Sequence, residues 1–183
     1  PLKWTDKNIK PDRVEIWNLF SQWGDNYNDK NIFTIEYSYL FKHNLITKPY
    51  RKPLDWWDKL NNENPEIVPA IAGSDAHEFK MSKYIIPVKV LPYDYSFKTI
   101  LNQIHLKQPL SNDYERAKEQ ILNAVKNGNN TIANLSAGKD IPKIYISNNN
   151  STVQNGEVIK LDSDTYINVE CKKKTQITVV KDG

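Results

Sequence analysis

From Ile67 to Ala72 the chain runs almost without a polar residue, and the run stops at Gly73, with Ser74, Asp75, Ala76 and His77 directly behind it. A short apolar stretch with no alternation predicts a strand covered on both faces, as in parallel sheets flanked by helices. Residues two apart on a strand face the same way, with Cα atoms about 6–7 Å apart. Asp75 and His77 are therefore expected to point together into one pocket at a strand end. A carboxylate and an imidazole placed so are a natural pair of ligands for a divalent metal. Only His43, His77 and His105 are present in the chain, which concentrates any metal chemistry at His77.

The segments around this run support an α/β layout. Val14 to Trp17 reads as a short buried strand ending at Asn18, with Glu15 turned away from Val14 and Ile16 and in need of a partner. Ser21 to Arg51 has no clear period and reads as a long excursion, with a helix expected around Phe33–Phe41. Pro53 to Leu60 predicts a short helix with Pro in its first turn, ended by Asn61 to Pro65. Tyr84 to Val90 predicts a strand, and Pro87 assigns it to an edge or a bulge. Ser96 is expected to cap a helix carrying Phe97, Ile100, Leu101 and Ile104 on one face. A further helix is expected after Asn112, which has capping-box spacing to Glu115, with a stripe of Tyr114, Ala117, Ile121, Leu122 and Val125 and a stop at Gly128. Strands alternating with helices give an α/β chain as far as about residue 137.

The pattern then changes. Lys143–Ser147, Glu157–Leu161, Tyr166–Cys171 and Gln176–Val180 read as short strands separated by polar turns, and the switch near Ala137–Pro142 marks a domain boundary. The strands from 138 to 183 are too few for an independent sandwich and read as truncated. The chain opens at Pro1 in text that reads like the interior of a domain, so it is expected to be a piece of a longer protein.

Composition narrows the classes further. A net charge of +3 is mild and spread out, and Lys172 to Lys174 is the one tight basic run, read as a solvated turn, so nucleic-acid binding has little support. No stretch approaches a membrane span. The single cysteine, Cys171, excludes an intrachain disulfide, fits a reducing compartment such as the cytoplasm, and reads as an inert buried thiol. Trp4, Trp17, Trp23, Trp56 and Trp57 offer a sugar-stacking platform, but their even spread favours packing. His105 reads as a packed or capping histidine within a helix, and His43 as an exposed one.

Asp-X-His alone recurs by chance, and its plain alternative is a surface loop in which Asp75 caps a turn and His77 is solvated. A Ser74–Asp75–His77 triad is a poor reading, because residues so close in sequence do not line up nucleophile, base and orienter in series. The position behind a buried strand favours a site, since open α/β sheets and barrels place theirs at strand C-termini.

Several segments, taken in order, resemble one family. Lys10 to Asn18, Ser21 to Trp23, Leu54 to Asp58 and Ala72 to His77 look like the later half of a domain of the PHP (polymerase and histidinol phosphatase) superfamily, in its CehA/McbA-like branch of metal-dependent phosphoesterases and hydrolases. Pro92 to Phe97, Leu106 to Leu110, Ala124 to Gly128 and Ile132 to Asn134 fit the same branch. The resemblance covers about residues 1–137, and residues 138–183 resemble the start of a β-sandwich that some members append.

The resemblance implies the later half of a distorted (β/α)7 barrel with divalent metals (Mn, Zn, Fe or Mg) at the strand C-termini. The last metal motif of the family maps onto Asp75 and His77, while Asn18 falls near the substrate pocket and Glu15 behind the ligands. Pro1 matches the proline of a family His-Pro whose histidine is a ligand, so that ligand and the earlier ones would precede this chain. The function so implied is hydrolysis of a small ester, foremost a phosphoester, by a metal-activated water. By itself this chain is expected to hold metal weakly, to be nearly inactive, and to self-associate through strand edges. The alternative is a non-catalytic module that binds a carbohydrate or a protein on a degenerate scaffold of the same type.

Overall fold

The computed structural model describes residues 9–29, 46–81, 88–136 and 138–180. The architecture is mixed α/β. Strand β1 (Val14–Asn18) pairs in parallel with β2 (Ala70–Gly73), and helices α1 (Leu19–Asp29) and α2 (Arg51–Glu63) fall between them in sequence. Strands β3 (Phe79–Met81) and β4 (Val88–Val90) form an antiparallel pair. Helix α3 (Tyr93–Thr99) leads into β5 (Ile100–Ile104), which pairs antiparallel with β6 (Asn130–Asn134) across helix α4 (Tyr114–Lys126). Strand β7 (Lys143–Ser147) is the centre of a three-stranded sheet, between β8 (Thr152–Val153) and β9 (Tyr166–Glu170). Among the described residues no sheet closes into a barrel.

The β1–β2 pair is the middle of the packed region. Val14, Ile16, Leu60, Val68 and Ala70 form one buried cluster, and Trp17, Leu19, Ile46, Ala72 and Ile100 a second, with half-buried Ile132 touching both. Small alanines on β2 let its neighbours approach closely. Asparagine side chains then tie those neighbours to it. Asn102 on β5 accepts from the Ala72 N–H at 3.0 Å and donates to the Ala72 carbonyl at 2.7 Å, and Asn130 on β6 donates to the Ala70 carbonyl at 3.1 Å. The backbone groups of β2 are thus met by side chains where a ladder would otherwise run.

Four expectations are corrected. The excursion begins not in irregular chain but in α1, whose apolar period is hidden because Gln22 occupies a buried position. Gln22 earns burial by accepting from Trp17 Nε1 at 2.6 Å and donating to the Lys48 carbonyl at 2.8 Å. The second correction concerns Ser96 to Ile104. Ser96 lies inside α3, fully buried with its hydroxyl donating to the Leu91 carbonyl at 3.1 Å, and Phe97 is exposed. Ile100 to Ile104 is a strand, because pairing with β6 and the Asn102 contacts outweigh a weak helical period. Third, Glu157–Leu161 and Gln176–Val180 are not strands: Glu157 closes a turn onto the Gln154 N–H, and the later segment is exposed and outside any sheet. Fourth, Cys171 is exposed, just past the end of β9.

Smaller shifts follow cap chemistry. α2 starts two residues before Pro53 and runs to Glu63. α4 is capped by Asp113, which accepts from the Arg116 N–H at 2.9 Å, rather than by Asn112. Its expected stripe is largely uncovered, with Tyr114, Ile121 and Leu122 exposed. The helix at Phe33–Phe41 and most of the strand at Tyr84–Val90 lie outside the described residues.

Candidate metal centre

Both strands of the parallel pair point their C-terminal ends the same way, and the residues expected to carry chemistry gather there. β1 ends at Asn18 and β2 at Gly73, which are partners in register. The chain leaves β2 through Ser74 and turns at Asp75, which has φ 45°, a left-handed conformation that Asp tolerates better than most residues. Asp75 and His77 are therefore not on the strand, as their spacing suggested, but on the turn behind it. The turn still brings them together: His77 Nδ1 lies 3.3 Å from Asp75 Oδ1 and 2.8 Å from the Asp75 carbonyl oxygen. Both side chains reach solvent, His77 at 62% and Asp75 at 39% exposure.

The carbonyl contact decides the tautomer of the neutral ring. A carbonyl oxygen only accepts, so Nδ1 carries the proton and the Nε2 lone pair is left to act as a ligand. Phe20, in the first turn of α1, packs on the imidazole with ring centroids 4.8 Å apart and planes tilted by 38°, and Trp23 stands 6.4 Å from Phe20.

Asn18 and Glu15 border the pair. Asn18 Nδ2 lies 3.1 Å from Glu15 Oε2 and 3.4 Å from Asp75 Oδ2, and Asn18 Oδ1 accepts from the Ser21 N–H at 2.8 Å. Glu15 is exposed rather than buried within its strand. Its carboxylate lies over Gly73, where a Cβ would collide with Oε1. Next along the chain, Glu78 pairs with Lys89 at 2.9 Å; the hydrogen bond from that ammonium holds the carboxyl below the usual carboxylate range.

Asp75 and His77 offer one carboxylate and one imidazole nitrogen, donor types that suit a borderline divalent ion. The carboxylate rests on the Nδ1 side, however, while Nε2 opens on the far side of the ring, so as placed the two do not face one shared ion. Among the described residues no three His, Cys, Asp or Glu side chains stand close enough together to hold an ion. His105 is elsewhere, beyond β5, with Nε2 2.8 Å from Thr131 Oγ1, so it is a packed histidine but not a helical one. His43, Trp4 and Pro1 lie outside the described residues. Three of the described tryptophans serve packing, since Trp17 is buried, Trp57 donates to the Val68 carbonyl at 2.6 Å and Trp23 packs against the Leu19 cluster, while Trp56 is exposed. No described helix is long and apolar enough to cross a membrane.

Sequence reasoning missed Phe20, Gly73 and the irregularity at Ile16 between the Glu15 and Trp17 pairings. The aromatic i, i+3 spacing of Phe20 and Trp23 was the one available signal for the first. Comparison of the chain with family models, with curated proteins and with solved structures finds no match.

Proposed function

We propose that this chain is the later part of a PHP-type metal-dependent hydrolase, close to the CehA/McbA-like branch, and that the intact protein cleaves small phosphoesters. In this reading residues 1–137 are the later half of a distorted (β/α)7 barrel, and residues 138–183 are the start of an appended β-sandwich. The observation that carries it is the place of Asp75 and His77 directly behind the C-terminal end of a parallel strand pair, where Asp75 holds Nδ1 and leaves Nε2 open to act as a ligand on the other side of the ring. That is the end of a parallel α/β sheet where substrates and ions bind, because the strand termini open there into loops.

A divalent ion bound in such a place supplies a water acidified toward neutrality and neutralises charge on a phosphoryl oxygen. The residues of this chain contribute the rest. His77 would offer Nε2, and the Asp75 carbonyl keeps the imidazole in the required tautomer. The Asp75 carboxylate, which rests on the Nδ1 side, would serve the same ion only after turning away from the ring. Phe20 limits rotation of that ring by packing on it. Two ligands do not complete a hydrolytic metal site. The remaining ligands belong, by the family resemblance, to sequence upstream of Pro1, and this chain alone retains metal weakly.

The test uses a polypeptide that includes the upstream sequence, assayed for Mn²⁺- or Zn²⁺-dependent hydrolysis of p-nitrophenyl phosphate. His77→Ala and Asp75→Gly, the latter compatible with the positive φ at that position, are expected to abolish activity and lower metal content. Activity and metal content equal to wild type in both variants would refute the assignment. A wild type that is folded, carries an upstream His-X-His and still cleaves no ester would favour the non-catalytic binding module.

A further inference from the structure

Glu15 and Asn18 are three positions apart on β1, and in a regular strand such residues point to opposite faces. Here they meet. The register explains why: Glu15 pairs with Ile71 and Trp17 with Ala72, which are consecutive on β2, so Ile16 is an extra residue on β1. One extra residue cancels one step of alternation and brings Glu15 and Asn18 to the same side. Such bulges are uncommon between parallel strands, and this one re-aims the polar residues of β1 at the end of β2. Gly73 completes the arrangement, since its missing Cβ is the space that the Glu15 carboxylate fills.

Asn18 has no freedom to turn its amide over. Its Oδ1 accepts the Ser21 N–H and caps α1, so Nδ2 must face the acids. The two protons on Nδ2 then meet two carboxylates, one on β1 and one on the loop behind β2, at Glu15 Oε2 and Asp75 Oδ2. We infer that Asn18 is a positioning residue: its amide, oriented by the N-terminus of α1 and shared with Glu15, holds the Asp75 carboxylate in the conformation in which it meets His77. Asn18 is thereby assigned to the support of the ligand pair rather than to the substrate pocket. The consequence for metal rests on the metal reading above; the brace itself does not.

Two measurements keep these apart. In metal-free ¹⁵N-labelled protein, the Asn18 side-chain amide protons are expected to exchange with solvent several-fold more slowly in wild type than in Asp75→Gly. Equal rates overturn the brace. The second measurement is a Mn²⁺ titration of this chain followed by paramagnetic broadening of the His77 ring protons. Asn18→Ser keeps a capping oxygen for α1 but deletes the shared amide. It is expected to melt within a few degrees of wild type and to bind Mn²⁺ about tenfold more weakly, the size of effect typical of groups that orient metal ligands. Affinity equal to wild type overturns the positioning role. Loss of His77 broadening in wild type itself sinks the metal reading and the metal consequence with it, while the exchange rates still decide the brace.

Discussion

Residues 14–134 and residues 143–170 both form sheets, but only the first region has an interior. Every buried side chain among the described residues lies at or before Ala133, and none lies from 138 to 180. The difference is not in pairing, because β7 and β9 keep five residue pairs in unbroken register while β1 and β2 keep four with a bulge. It lies in what covers the faces. Helices α1 and α2 and the β5–β6 pair pack around β1 and β2, whereas Ile144, Ile167 and Tyr166 of the later sheet remain exposed. Backbone ladders hold strands together, but burial of apolar faces on another layer fixes a region in place. The candidate centre stands at the end of the covered pair, where a ligand geometry can be held rigidly.

The largest expected effect on this contrast comes from the core. Leu60→Ala removes a buried side chain from the first cluster and should cost about 2–5 kcal/mol in urea unfolding. Ile167→Ala, on the exposed face of β9, should stay within about 0.5 kcal/mol of wild type. Similar losses from both would break the comparison.

Next comes the asparagine that stands in for a ladder. Asn102→Ala strips partners from both the Ala72 N–H and its carbonyl and should cost about 1–3 kcal/mol. Amide exchange at Ala72 should quicken with it.

Gly156 probes the join between the two regions. It has φ 80°, and a Cβ there would run into the Asn127 carbonyl and the backbone of Gly128. Gly156→Ala should cost about 1–2 kcal/mol from the left-handed backbone alone, and the close approach adds to it. The expected signature is loss of the Asn129–Asn155 and Asn155–Thr131 hydrogen bonds, read as faster exchange of those side-chain amides with the cluster around Leu60 unchanged.

The smallest effect is a pH dependence. The Glu78 carboxyl is held low in the folded chain, chiefly by its hydrogen bond from Lys89. Its contribution is present above the unfolded carboxylate pKa of about 4.3 and is lost as pH falls through the lower folded value. Glu78→Gln should flatten the acid side of the stability profile without moving the neutral plateau. An unchanged acid limb would remove the pair from the account.

What was legible in the sequence follows the same division. The buried strand pair announced itself through apolar runs, α2 through its Pro and α4 through its apolar period and the stop at Gly128, though its cap is Asp113 and not Asn112. Asp75 and His77 stood out by their place behind an apolar run. The rest was hidden for physical reasons. Gln22 is buried because Trp17 and the Lys48 carbonyl satisfy it, so α1 shows no clean period. Ile100 to Ile104 looks helical locally and is a strand through its partner β6, thirty residues away in the chain. The extra residue at Ile16 leaves no mark in composition, yet it decides which way Glu15 faces. The stripe on α4 was readable, but a stripe does not reveal whether anything covers it.

The central claim is that His77, with Nδ1 held by Asp75, offers Nε2 to a divalent ion. Long-range ¹H–¹⁵N correlation of the histidine rings during a Zn²⁺ titration tests it most directly. The account predicts that the His77 Nε2 resonance shifts on binding while its Nδ1 stays protonated, that the His105 ring is unaffected, and that Asp75→Gly weakens the response. Zn²⁺ that leaves the His77 ring unchanged at millimolar concentration, or that binds it through Nδ1, would contradict it.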